Sequence, residues 1–258
     1  MQLYLKFFSM HLKSQMQYKT SFILLIIGRF FLTASEIIVI FFLFNKYNSV
    51  QGFTVEDVLI CAATIKMAFA LAECFARGFD AFPSVVRNGE FDRVMVRPRN
   101  EIFLVLSSKI EFTRIAGFMQ GVAILIYAVI AGNVVWTADK IFTLIMMIIS
   151  GVVVFSSLFL IYAGICFFTL EGLEFMNVFT DGGRNFGQYP FVIYGEPVLK
   201  FFTFIIPHAL FQYYPLLYVL GKSANKFYMF TPFIAILFVI PAYGFWRFGV
   251  RKYKSNGS

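Results

Sequence analysis

From Ser21 to Phe44 the chain runs 24 residues with only two charges, Arg29 and Glu36. A bilayer-spanning helix needs about 20 predominantly apolar residues. Further stretches of this kind follow, and a chain built from them does not close around a single water-soluble core. Composition agrees: 59% of the residues are hydrophobic, 36 are Phe and 14% are charged, where soluble domains carry about 25% charge. The expected fold class is an all-α membrane protein. The first apolar run is too long for a signal-peptide core and lacks a small-x-small cleavage pattern, so it is expected to remain as an anchor.

Six transmembrane helices are expected, at 21–44, 57–78, 111–132, 140–170, 197–219 and 228–247. The fourth is longer than a bilayer requires, so it should tilt or project. The fifth holds Pro207 and Pro215, which remove helical hydrogen bonds and predict a broken helix. Residues 1–20 read as an amphipathic interfacial helix, with Lys6, Ser9, Lys13, Gln17 and Thr20 on one face and Met1, Leu5, Phe8, Leu12 and Met16 on the other. A plain lead-in to the first span is the alternative. The expected organisation is this helix, a six-span unit over 21–247 and a cytoplasmic tail over 248–258.

With the N-terminus inside, the segments 1–20, 77–114, 171–200 and the tail from Arg247 hold 3, 7, 2 and 4 Lys or Arg. The outer segments hold Lys46, Lys140, Lys222 and Lys226. Basic residues gather on the cytoplasmic side of membrane proteins, so both termini are expected in the cytoplasm, at the cell membrane. The same rule accounts for the net charge of +8 without nucleic acid.

Arg29 and Glu36 lie seven residues apart in the first span, and Lys66 and Glu73 seven apart in the second. Each pair therefore shares a helix face. At about 1.5 Å per residue, Arg29 and Glu73 lie about 12 and 8 Å from the inner end, and Glu36 and Lys66 about 22 and 18 Å. Because the spans run antiparallel, opposite charges meet at similar depths. This predicts two interhelical pairs, Arg29–Glu73 and Glu36–Lys66. A lone charge at mid-bilayer costs about 2.5–3.5 kcal/mol on insertion scales, which favours pairing. Such pairs either hold the helices together or line a polar path.

Catalytic patterns are missing. Gly221-Lys222-Ser223 lacks the upstream glycine of a phosphate-binding loop, since Leu216 stands in that place. Gly182-Gly183-Arg184-Asn185-Phe186-Gly187 reads as a flexible turn on the inner side. His11 and His208 have no second ligand at metal spacing, and His208 is expected to be a satisfied polar residue. Cys61, Cys74 and Cys166 fall inside spans and read as small apolar core residues. Energy for any transport is expected from another chain or from an ion gradient.

Between the second and third spans the chain reads Arg87-Asn88-Gly89-Glu90-Phe91-Asp92-Arg93-Val94-Met95-Val96-Arg97-Pro98. Phe79, Phe82, Pro83 and Val86 just before it form an apolar edge suited to a short surface helix that inserts into a partner. Charges such as Glu90, Asp92 and Arg93 would fix its register. Anchoring to lipid headgroups is the other reading. The Gly89-Glu90-Phe91-Asp92 run with Pro98 resembles the inner loop of permease subunits of the type-2 ABC exporter family. Tyr189-Pro190 with Ile193-Tyr194-Gly195, and Ile206-Pro207 with Tyr213-Tyr214-Pro215 and Leu220-Gly221, are similar to that family in order and spacing. The likeness covers essentially the whole chain.

The resemblance implies one half of a channel. A second permease chain, identical or paralogous, would complete it, and two ABC ATPase subunits would bind beneath. Phe79, Phe82, Val86, Arg87, Gly89, Glu90, Phe91, Asp92, Arg93 and Pro98 would form the coupling site. ATP and Mg would act on the ATPase, and this chain would hold no cofactor and no catalytic residue. The family's substrates include drugs, peptides, lipid-linked polymers and other amphiphiles. Residues 208–222 either form outer re-entrant helices or complete the fifth span. Tyr213, Tyr214 and Pro215 are either an outer gate or part of an interfacial aromatic belt. An ion-coupled carrier using Glu36, Lys66 and Glu73 is the alternative function.

Overall fold

The second apolar stretch begins where Thr54 and Asp57 cap each other. Asp57 N–H donates to Thr54 Oγ1, and Thr54 N–H donates to Asp57 Oδ2 at 3.1 Å. This reciprocal capping satisfies the helix start. The helix that follows is the axis of the molecule. The computed structural model describes residues 2–47, 49–169 and 174–254. Met1, Asn48, part of the expected 171–200 inner segment and the end of the expected tail lie outside the described residues, as does the side chain of Leu5.

Helix α1 spans Gln2–Met16, α2 Lys19–Lys46 and α3 Val55–Asp80. Three short helices follow, α4 Phe82–Arg87, α5 Glu90–Met95 and α6 Glu101–Ser107. Two long ones come next, α7 Ile115–Ala131 and α8 Ala138–Thr169. The remainder is α9 Gly183–Phe186, α10 Glu196–Phe204, α11 His208–Phe211, α12 Tyr213–Val219, α13 Thr231–Ile236 and α14 Val239–Lys252. Among the described residues there is no strand, only an isolated bridge between Val50 and Phe53.

Helix α3 is largely apolar, with Lys66 and Glu73 as its mid-helix charges, and is buried nearly end to end, as a helix without a broad polar face must be. It packs chiefly between α7 and α8, and α14 lies against α8. Small residues allow close approach. A Cβ on Gly121 of α7 would lie 2.5 Å from Met67 Cγ, and one on Gly151 of α8 2.6 Å from the Ala68 Cβ. Membrane helices associate through such small-residue contacts because lipid offers no hydrophobic drive between them. Helix α2 stands apart. Only Ile40 and Phe44 are buried, and Leu24, Phe31, Leu32 and Phe42 are more than 60% exposed. The chain is a multi-pass membrane protein, and this face meets apolar surroundings.

Among the described residues, five segments are long and apolar enough to cross a membrane: Lys19–Lys46, Val55–Arg87, Phe112–Ala131, Ala138–Thr169 and Lys226–Lys252. The expected span at 197–219 is not among them. It is three short helices, α10 to α12, interrupted at Pro207 and Gln212; the break expected at Pro215 does not occur, because Pro215 falls in the first turn of α12, where its missing N–H costs no intrahelical bond. The last span is also divided, between α13 and α14, because Pro241 has no N–H to donate and its ring crowds the carbonyl four residues back.

Within the described part of 171–200, the run expected as a flexible turn at 182–187 is instead helical and packed. A π-helical turn at Val178–Gly182 leads into α9, and this run passes along α3. Asp181 lies within electrostatic reach of Glu73 and Asp80. Arg184 sits over the Phe69 ring at 5.4 Å. The Gly187 carbonyl accepts from the Cys61 thiol at 3.4 Å. The order Glu73, Phe69, Cys61 runs backward along α3, so the segment climbs antiparallel to it. Gly182-Gly183 is therefore a packing element: a Cβ on Gly183 would lie 2.6 Å from His208 Nε2.

Helix α1 docks on the protein. The Phe8 ring meets Phe112 edge to face with centroids 4.7 Å apart, and Leu12 packs beside it. The Gln15 side chain donates to the Ile110 carbonyl at 2.5 Å and accepts from Phe112 N–H at 3.0 Å. Lys6, Ser9, Lys13, Gln17 and Thr20 are exposed. The face expected to enter lipid is thus partly covered by the chain itself.

Candidate functional site

A cavity of about 370 Å³ opens between α2, α3, the start of α7 and α9. Its charged wall consists of Arg29, Glu36, Lys66, Glu73, Arg114 and Arg184. Lys66 Nζ donates to Glu36 Oε2 at 2.7 Å across α2 and α3, as the matching depths of these residues predict. The other oxygen of Glu36 accepts from Arg184 at 3.2 Å. Glu36 is thus bridged by two cations.

Glu73 is also bridged by two cations, but Arg29 is not one of them. Arg114 Nη1 donates to Glu73 Oε2 at 2.5 Å, and Arg77 Nη1 donates to Oε1 at 3.2 Å. The predicted Arg29–Glu73 ion pair is therefore replaced. The antiparallel packing of α3 on α7 brings Arg114 to Glu73, and Arg77 follows Glu73 by one helical turn. Arg29 remains on the cavity wall, half-buried and within electrostatic reach of Arg114 and Glu73. The network runs on through Glu111, which accepts from Arg114 Nε at 2.9 Å and lies 3.6 Å from Arg77 Nε and 3.3 Å from Lys109. Burial opposes ionisation of Glu111, but its hydrogen bond from Arg114 and the nearby Arg77 and Lys109 hold its carboxyl below the usual range.

Arg114 and Arg184 are site residues that a helix-by-helix reading misses. Arg114 stands at a span boundary and counts there as an ordinary inner-side cation. Arg184 lies in a glycine-rich run that has the look of a surface turn. Nothing local marks either one; only their placement against α3 does.

The charged loop after α3 begins with α4. Phe79, Phe82, Val86 and Phe91 are buried, at 3% exposure or less. Phe82 meets Phe91, Phe167 and Trp246 with centroids 5.0–5.2 Å apart. The apolar edge expected to enter a partner is instead packed into the chain's own core. Gly89 joins α4 to α5 at φ +67°, a left-handed conformation that costs a side-chain-bearing residue about 1–2 kcal/mol. Asn100 caps α6 by accepting from the N–H groups of Ile102 and Phe103. Arg247 ties α14 to α6 through Glu101 at 3.0 Å. What the loop exposes is Arg87, Glu90, Arg93, Arg97, Pro98 and Arg99, with Val96 83% exposed between them. Asp92 is only partly exposed.

The tyrosine cluster sits where α10, α12 and the turn before α13 meet. Tyr213 and Tyr214 lie 5.4 Å apart and Tyr214 lies 5.2 Å from Tyr228. Tyr214 Oη pairs with Thr203 Oγ1 at 3.2 Å, and Pro215 is buried. His208 is fully buried among Phe155, Phe202 and Phe211, at 5.0, 5.3 and 5.5 Å. Neither of its ring nitrogens has a hydrogen-bond partner among the described residues, so it is not the satisfied polar residue expected. One helical turn further along the chain, Gln212 Nε2 donates to the Cys61 carbonyl at 2.6 Å and Thr64 Oγ1 donates to Gln212 Oε1 at 3.2 Å, which locks the end of α11 to α3. All three cysteines are buried and free.

A family model described as "ABC-2 family transporter protein" matches residues 30–257. Comparison with curated proteins and with solved structures returns no match.

Proposed function

Because the chain belongs to the ABC-2 transporter family, whose members are the membrane components of ATP-driven transporters, we propose that it is the permease subunit of an exporter for an amphiphilic or hydrophobic substrate. The family match over 30–257 carries this reading, since it takes in the exposed loop, the tyrosine cluster and the charged cavity wall apart from Arg29. ATP and Mg are bound and used by separate ABC ATPase subunits, two per complex. A second permease chain, identical or paralogous, completes the path. The complex sits in the cell membrane with both termini in the cytoplasm.

The loop from Phe82 to Pro98 is the coupling element. Its buried aromatic face makes it move as one body with α8 and α14. Its exposed rim of Arg87, Glu90, Arg93, Arg97 and Arg99 supplies the contact, and charge complementarity across it sets register. Tyr213, Tyr214 and Pro215 form the outer gate. An ion-coupled carrier needs a carboxylate free to bind and release a cation, whereas Glu36 and Glu73 each already bridge two cations.

Purification of the chain from native membranes in mild detergent, with identification of its companions by mass spectrometry, tests the reading. The expected result is an ATPase bearing Walker motifs in stoichiometric amount. Recovery of the chain without one sinks it.

A further inference from the structure

The charges on the cavity wall do not balance. Glu36 is bridged by Lys66 and Arg184, and Glu73 by Arg114 and Arg77. Arg29 also faces the cavity and forms no ion pair among the described residues. It lies about 12 Å from the inner end of its span by helical rise, at a depth where an unpaired cation is costly.

Three guanidinium groups, those of Arg29, Arg114 and Arg184, border the same space. Guanidinium is the side-chain group best shaped for bidentate binding of carboxylate or phosphate. Leu32, Phe69 and Ala70 supply an apolar wall beside them. One wall of the cavity is α2, the least buried of the membrane-spanning helices, whose other side is exposed and apolar. Charge, shape and apolar surroundings together describe a seat for a headgroup whose tail stays in hydrocarbon.

We propose that this cavity binds the anionic headgroup, phosphate or carboxylate, of a membrane amphiphile, with Arg29 as the cation that the protein itself leaves uncommitted. The proposal rests on the exporter reading for its role, since it makes the cargo, or the lead-in to it, an anionic amphiphile. The headgroup replaces the missing counter-ion. Glu36 orients Arg184, and Glu73 with Glu111 orients Arg114; Glu73 and Glu111 lie within electrostatic reach of Arg29 but form no ion pair with it.

The test uses the full chain in phosphatidylcholine nanodiscs and measures equilibrium binding of three labelled probes: dodecyl phosphate, dodecyltrimethylammonium and inorganic phosphate. Wild type is expected to bind dodecyl phosphate saturably and to leave the other two unbound. Arg29→Gln is expected to weaken dodecyl phosphate at least about tenfold, the scale of a lost charged hydrogen bond, and Arg29→Lys to weaken it less. Thermal unfolding of Arg29→Gln should match wild type, because no ion pair is lost. Equal binding of the cationic amphiphile overturns the proposal without recourse to any variant. So does an Arg29→Gln protein that folds and binds dodecyl phosphate unchanged. Inorganic phosphate bound as tightly as dodecyl phosphate would make this a free-anion site and overturn the amphiphile assignment. Failure of the permease reading shows separately, as absence of an ATPase in the pull-down, and does not alter the binding result.

Discussion

Glu73 shows what one residue decides in this molecule. Its side chain is 8% exposed and holds Arg114 and Arg77 at 2.5 and 3.2 Å. Removing one partner from a buried charge network costs about 3–5 kcal/mol, because the charges left behind have no water to turn to. Glu73→Ala is therefore expected to lower thermal stability far more than Arg29→Gln does, as measured by unfolding of the purified protein in detergent. Equal effects would mean that Arg29 shares the Glu73 bridge after all. The Glu36–Lys66 pair was legible in the sequence, because both residues lie inside long spans and their depths follow from helical rise. The partners of Glu73 were not legible: Arg77 and Arg114 sit at span ends, where cations are common and carry no mark of a partner.

At the scale of elements, α4 and α5 show how a motif can be found and its faces misassigned. A short helix with one apolar edge is the same in sequence whether that edge meets another protein or its own core. Trp246 and Phe167, far away in the chain, settle it by packing on Phe82 at 5.0 and 5.1 Å. Phe82→Asp buries an unpaired carboxylate in an aromatic cluster, so it is expected to prevent accumulation of folded protein and says nothing about coupling. The double change Arg93→Glu, Arg97→Glu alters only exposed residues. It should fold with unchanged thermal stability and reduce co-purification of the ATPase several-fold; undiminished co-purification would remove these arginines from the contact.

At the scale of the whole molecule, the course of the chain after α8 has the largest consequence. Residues 178–187 run along α3, which sets Arg184 against Phe69, near the middle of that helix, and against Glu36 rather than in an exposed turn. In sealed inside-out and right-side-out vesicles, Arg184→Cys is expected to resist a bulky membrane-impermeant maleimide from both sides until the protein is denatured. Arg97→Cys should react in inside-out vesicles only. Ready labelling of Arg184→Cys in either vesicle would return this segment to the surface, and Arg97→Cys labelling from the outside would invert the topology. The sequence by itself determined the membrane class, the positions of the five long helices, the break at Pro207 (Pro215 lies within α12 instead) and one intramembrane ion pair, because apolar length, ring chemistry and helical rise are local properties. Only the tertiary structure decided which cation faces Glu73, where the aromatic edge of α4 is buried and that a glycine-rich run climbs along the central helix. Each of these is a contact between residues far apart in the chain, and local composition does not encode which distant surface a given face will meet.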